Sequence, residues 1–172
     1  MDKKMKLTDH FTLGEMTRTS VKGVDNTPTT GAVSNLIRVC RWLEMLREEY
    51  NKRYGSLPNP SEGRGLLTSA SPDEDEYEEP IIINSGYRSP AVNRAVGGAQ
   101  NSNHLTGCAA DIRALGIEQA LRYAVILLDI SDESQESFDE LLLERKGCNY
   151  WIHFAVRPKE NRRVIKSLEL RV

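Results

Sequence analysis

Two of the three histidines stand where, with one aspartate, they could hold a metal ion. His104 precedes Asp111 by seven residues, and His153 follows it by forty-two. A catalytic zinc site needs three nitrogen or oxygen ligands and one open position for water. Two neutral imidazoles and one carboxylate meet that need. They leave the metal a strong Lewis acid, able to lower the pKa of bound water. In Trp151-Ile-His-Phe-Ala-Val156, strand alternation puts Ile152, Phe154 and Val156 on one face and Trp151, His153 and Ala155 on the other. In Ala109-Ala-Asp-Ile-Arg113 the same rule sends Ala110 and Ile112 to the apolar face and Asp111 to the opposite one. Both polar residues can therefore leave the core on one sheet face. Leu105-Thr-Gly107 can turn the chain so that His104 leans over it. Spacing alone does not decide the matter, because a histidine in a strand is more often a hydrogen-bonded structural residue. A metal triad and three scattered structural side chains both stay open at this point.

The elements that must position these residues follow from periodicity and punctuation. After Asp25-Asn-Thr-Pro28, the spacing of Val33, Leu36, Ile37, Cys40, Leu43 and Leu46 predicts a core-facing helix, with Thr27 as its N-cap and Gly55 as its end. Pro80-Ile-Ile-Ile-Asn84 reads as a short buried strand. Pro90 to Val96 reads as a short helix stopped by Gly97-Gly98. Ala109–Arg113 is expected as a strand, Ile117–Leu128 as a helix, and Phe138–Leu143 and Tyr150–Val156 as strands, with Arg163–Lys166 a last edge strand. Helices first and strands joined by short turns afterwards predict an α+β fold: a small mixed or antiparallel sheet with helices packed on one side.

The chain has 172 residues, a length for one domain, with 39% hydrophobic and 28% charged residues. That composition excludes a disordered chain, a coiled coil and a collagen-like repeat. No apolar run approaches the roughly 20 residues that span a bilayer, so no membrane span is expected. The first ten residues have no apolar stretch and do not read as a secretory signal, so synthesis in the cytoplasm is expected. Cys40, Cys108 and Cys148 have no CxxC spacing, and three free, mostly buried thiols are expected. Residues 55–80 carry many breakers and the acidic run Asp73-Glu-Asp-Glu-Tyr-Glu-Glu79, and read as a solvated, partly disordered insertion within a single 1–172 domain. Without that run the chain is only weakly basic, at net +4, too little to indicate nucleic acid as a partner.

Ser102-Asn-His-Leu-Thr-Gly-Cys-Ala-Ala-Asp111 has the SxHxxGxAxD pattern, and with it the chain resembles the zinc D-Ala-D-Ala peptidase family. Ile83-Asn-Ser-Gly-Tyr-Arg-Ser-Pro90, Asn93-Arg-Ala-Val-Gly-Gly98 and Trp151-Ile-His153 resemble further segments of the family. Phe11-Thr-Leu-Gly-Glu-Met16 and Asp25-Asn-Thr-Pro28 look like its phage-lysin-like branch. The resemblance implies a hedgehog/DD-peptidase fold, with His104, Asp111 and His153 as ligands of a Zn2+ cofactor. It implies Arg88 as the arginine facing the substrate carbonyl or carboxylate, where a guanidinium fork stabilises oxyanion charge. Ser102 would line the site and donate a hydrogen bond to substrate, or else serve as a turn or cap serine.

Many relatives carry an acid three positions before the last ligand, where this chain has Tyr150, a poor base at neutral pH. The nearest acids lie in Phe138-Asp-Glu-Leu-Leu-Leu-Glu144. A hairpin over Arg145–Cys148 would bring Glu144 near His153, so Glu144 is the expected general base and Asp139 the alternative. The implied function is zinc-dependent hydrolysis of D-amino-acid-containing peptidoglycan stem peptides, as carboxypeptidase or endopeptidase, at the cell wall after lysis or export. The missing acid at 150 motivates a second reading, a zinc-containing but non-catalytic domain that binds cell-wall peptide.

Overall fold

The computed structural model describes residues 2–55 and 78–169. The insertion expected over 55–80 falls largely outside them. Its two flanks meet at the end of the long helix, where the Glu79 amide donates to Asn51 Oδ1 at 2.7 Å and Asn51 Nδ2 donates back to the Glu79 carbonyl at 3.1 Å.

The architecture is the expected α+β class. A short helix α1 (Leu13–Met16) opens the chain, and α2 (Thr30–Tyr54) follows. The N-cap of α2 is Thr29, whose hydroxyl accepts the Ala32 amide at 3.2 Å, and not Thr27 as expected. Thr27 is engaged elsewhere: its amide and hydroxyl both bond Asp25 Oδ1, so it closes a turn two residues earlier. Strand β1 (Ile83–Ser85), helix α3 (Pro90–Ala95), a 3-10 turn (Asn103–Thr106) and strand β2 (Ala109–Ala114) carry the chain to α4 (Ile117–Ser134). Helix α4 runs six residues past the expected Leu128, because Ile130 and Ser131 continue its buried face until Gln135 turns left-handed at φ 60°. Strands β3 (Glu140–Lys146), β4 (Asn149–Ala155) and β5 (Val164–Glu169) complete the sheet.

The strands stand in the order β1-β2-β4-β3-β5, all neighbours antiparallel except the parallel pair β3 and β5. Register carries the site. Asp111 faces His153 across β2 and β4, and Leu142 faces His153 across β3 and β4. With period-2 alternation, Asp111, His153, Glu140, Leu142 and Glu144 share one face. The other face presents Ile112, Ile152, Phe154 and Leu141 to α2 and α4. Trp42 of α2 packs against Phe154 in a tilted arrangement with ring centroids 5.2 Å apart. The helices therefore cover one side, and the opposite side is left for chemistry. Cys40 and Cys108 are buried and Cys148 is exposed in the β3–β4 turn, all three unpaired. Among the described residues no helix is long and apolar enough to cross a membrane.

Candidate active site

The polar sheet face opens into a cleft of about 1140 Å³. At its floor His104, Asp111 and His153 converge, all three buried. His104 Nε2 lies 3.2 Å from Asp111 Oδ1 and 3.2 Å from His153 Nδ1, and His153 Nδ1 lies 2.9 Å from Asp111 Oδ1. Ligand bonds near 2 Å to one small ion require donor atoms about 3–4 Å apart, so this set fits a metal ion. The outer nitrogens support the fit. His104 Nδ1 donates to the Gly86 carbonyl at 2.6 Å, which leaves Nε2 with a lone pair toward the cluster. His153 Nε2 lies 3.3 Å from Glu140 Oε2, a contact that similarly turns Nδ1 inward.

Each residue of the cluster has a local reason to be there. The 3-10 turn that carries His104 is capped by Ser102, whose hydroxyl accepts the His104 amide at 3.3 Å. Gly107 ends the turn at φ 73°, and a Cβ there would stand 2.4 Å from the Ala32 carbonyl oxygen of α2. Only glycine lets the turn sit on α2 and enter β2. Asp111 is held at both oxygens: Oδ1 faces the imidazoles, and Oδ2 accepts from Arg88 Nη2. Arg88 Nε also donates to Ser85 Oγ at 2.8 Å. Burial would raise the Asp111 pKa, but the two imidazoles outweigh it and hold the carboxyl well below its usual range. Burial would lower that of His153, but Asp111 and Glu140 outweigh it and raise it to about 9 in the metal-free protein.

The expected site residues divide as follows. Arg88, Ser102 and Glu144 all line the cleft together with the triad. Arg88 is spent in part on Asp111, and Ser102 on capping. Glu144 stands opposite Trp151 in the β3–β4 ladder and, among the described residues, makes no ion pair. Burial pushes its pKa up, the direction a general base at neutral pH needs. The hairpin is tighter than expected, with Lys146 paired to Asn149 across Gly147 and Cys148 alone. Asp139 lies elsewhere: its side chain is fully buried and bound by Arg162 at 2.8 and 2.6 Å, by Arg157 at 3.0 Å and by Asn103 at 2.8 Å. A carboxylate so fully engaged has no free lone pair for water, which removes it as the alternative base. Tyr150 packs against the core on the side away from the cleft, so its replacement of an acid takes nothing from this cleft face. Glu140 is the residue that sequence reasoning passed over. It bonds His153, Asn103 and Arg162 at once. Its signal was available in the two-residue step from Glu140 through Leu142 to Glu144.

With this geometry, the comparisons with known proteins agree. Residues 65–142 match the peptidase M15 family, a stretch that includes His104 and Asp111 and stops before Glu144 and His153. Over 37 residues the chain is 51% identical to the zinc D-Ala-D-Ala carboxypeptidase of Streptomyces albus G. That match covers 22% of this chain and 14% of the Streptomyces protein. The match to the M15 peptidase family supports a hydrolase, and the His-Asp-His cluster could hold a metal ion.

Proposed function

We propose that this relative of the M15 peptidases is a zinc-dependent peptidase acting on D-amino-acid-containing peptidoglycan stem peptides, and so at the cell wall. The observation that carries the proposal is the convergence of His104 Nε2, Asp111 Oδ1 and His153 Nδ1 within 3.2 Å of one another at the floor of an open cleft. The stem peptide is taken from the Streptomyces carboxypeptidase, whose name specifies D-Ala-D-Ala.

Zinc held by His104, Asp111 and His153 would supply a Lewis acid for the scissile carbonyl and for water. The protein's own residues do the rest. Glu144, half-buried at the cleft edge and without a cationic partner among the described residues, accepts the proton of the attacking water and passes it to the leaving amine. Arg88 keeps Asp111 turned so that a single oxygen faces the imidazoles, and its position in the cleft wall puts positive charge beside the developing oxyanion. Glu140, held by Asn103 and Arg162, orients the His153 ring. Ser102 fixes the turn that carries His104 and offers its hydroxyl at the cleft surface.

The test is hydrolysis of acetyl-lysyl-D-Ala-D-Ala by protein stripped with a chelator and then reloaded with zinc. Release of D-Ala only by the reloaded protein is expected. A reloaded protein that binds the peptide without cleaving it would instead establish the non-catalytic binding domain.

A further inference from the structure

The two N-terminal motifs, Phe11–Met16 and Asp25–Pro28, contribute no side chain to the cleft lining, yet they grip the segment that does. Along Gly86-Tyr87-Arg88-Ser89 the contacts alternate. Gly86 and Arg88 serve the site: the Gly86 carbonyl accepts from His104 Nδ1, Arg88 holds Asp111, and the Arg88 amide donates to the His104 carbonyl at 3.1 Å. Tyr87 and Ser89 are held from behind. The Tyr87 amide donates to the Met16 carbonyl at 2.7 Å, and Asn26 Nδ2 donates to the Tyr87 carbonyl at 3.1 Å. The Ser89 amide donates to Asn26 Oδ1 at 2.7 Å, and Ser89 Oγ donates to the Asp25 carbonyl at 2.8 Å. Asn26 Nδ2 also donates to the Thr17 carbonyl at 2.8 Å. A Cβ at residue 86 would stand 2.4 Å from the Met16 carbonyl oxygen, so the two segments are in backbone contact. The Thr12–Glu15 capping box and the Thr17 hydroxyl bond to the Leu13 carbonyl keep that end of α1 in place.

We infer that Asn26 is a positioning residue for the metal centre. One amide ties three backbone groups of two segments, and through Tyr87 and Ser89 it sets the height of the Gly86 carbonyl and of the Arg88 guanidinium. Those two groups fix the ring of His104 and the carboxylate of Asp111. Asn26 thus acts through the partners of two ligands at once, without touching either ligand. Its amide is suited to this because it donates twice and accepts once, and a carboxylate of the same shape cannot donate. The inference rests on the zinc-peptidase reading only for its metal readout. The hold on His104 is a property of the chain.

Asn26→Asp keeps the acceptor for the Ser89 amide and turns a bare oxygen on the Thr17 and Tyr87 carbonyls. Two measurements follow: zinc affinity by competition with a chromophoric chelator, well below the melting temperature, and the His104 ring-nitrogen resonances of the metal-free protein. A control, Ile130→Ala in α4, lowers stability away from the site. Zinc affinity about tenfold weaker in Asn26→Asp is expected, at the low end of the span for outer-shell partners. The His104 Nδ1 signal should shift, and Ile130→Ala should change neither. If Asn26→Asp lowers only the melting temperature, with zinc affinity and the His104 signal unmoved, the residue is merely structural and the inference falls. If the wild type itself binds no zinc, the peptidase reading fails separately, and the His104 signal alone then upholds or overturns the role of Asn26. Asn26→Ser, which leaves room for a water at the same three groups, replaces the aspartate variant if that one does not fold.

Discussion

Asp139, Glu140 and Glu144 carry the same functional group in three different surroundings, and surroundings assign their roles. Asp139 is neutralised by arginines, Glu140 is bonded to His153, and Glu144 is half-buried and makes no ion pair among the described residues. Glu144→Gln is therefore expected to keep the metal and the fold while slowing hydrolysis by about 10²–10⁴-fold, the span of a positioned general base. Metal content and turnover measured on the same sample check this. The His153 imidazole gives a pH dependence. Its folded pKa of about 9 lies above the unfolded value near 6.5, so its contribution to the metal-free protein is complete below about pH 6.5 and disappears as pH rises through 9. The melting temperature of chelator-treated protein should fall across that window. Asp111 works in the opposite sense, because its pKa is depressed: its contribution is present above pH 4 or so and is lost on further acidification.

At the scale of elements, the site depends on ties between segments far apart in sequence. Asp139 stands just before β3 and binds Arg157 and Arg162 in the connection from β4 to β5, while its amide donates to the Ala155 carbonyl of β4 at 2.7 Å and its carbonyl accepts the Val164 amide of β5 at 2.9 Å. The connection is closed by Asn161, whose side chain bonds both the amide and the carbonyl of Arg157. Asp139→Ala leaves two guanidinium groups without their shared carboxylate. Loss of one partner of a buried ion pair costs several kcal/mol, and because Arg162 is half exposed the expected loss is about 2 kcal/mol. Urea unfolding of the metal-free variant measures it. Asn103 keeps its second bond, to Glu140, so the turn that carries His104 should hold and turnover by the folded variant should stay within a few-fold of wild type.

For the whole molecule, the three buried residues proposed as ligands come from a turn and two strands, so a metal held there would clamp the fold. An ion that binds only the native state stabilises it by mass action, about 2.7 kcal/mol when its free concentration is a hundred times Kd. In a domain of this size each kcal/mol moves the melting temperature by roughly 2–4 °C. Chelation should thus lower it by about 5–10 °C, and zinc should restore it. Scanning calorimetry with and without zinc gives the comparison. His104→Ala should remove the zinc-dependent part of the shift, since two ligands remain of three.

The sequence by itself determined the sheet faces and so the shared side of Asp111 and His153, whereas the tertiary structure decided that His104 joins them. Alternation about Ile112, Ile152 and Phe154 can satisfy the core in one way only, and that forces Asp111 and His153 to the other face. The helix α2 and the strands β2 and β4 were legible for the same reason, because burial imposes a period on every residue of the element. The N-cap of α2 was not, since Thr27 and Thr29 are chemically alike and only the competing bond to Asp25 separates them. For the acids around β3, the sequence placed Glu144 ahead of Asp139 by hairpin length alone and left Asp139 open. Asp139 and Glu144 differ by which cations reach them, and those cations come from residues 157 and 162, across a fold that only the tertiary structure closes. The grip of Asn26 on Tyr87 and Ser89 spans 61 and 63 residues and has no periodic signature at all. Local physics fixes which way a side chain points, whereas the partners it meets are set by the packing of segments that are remote in the chain.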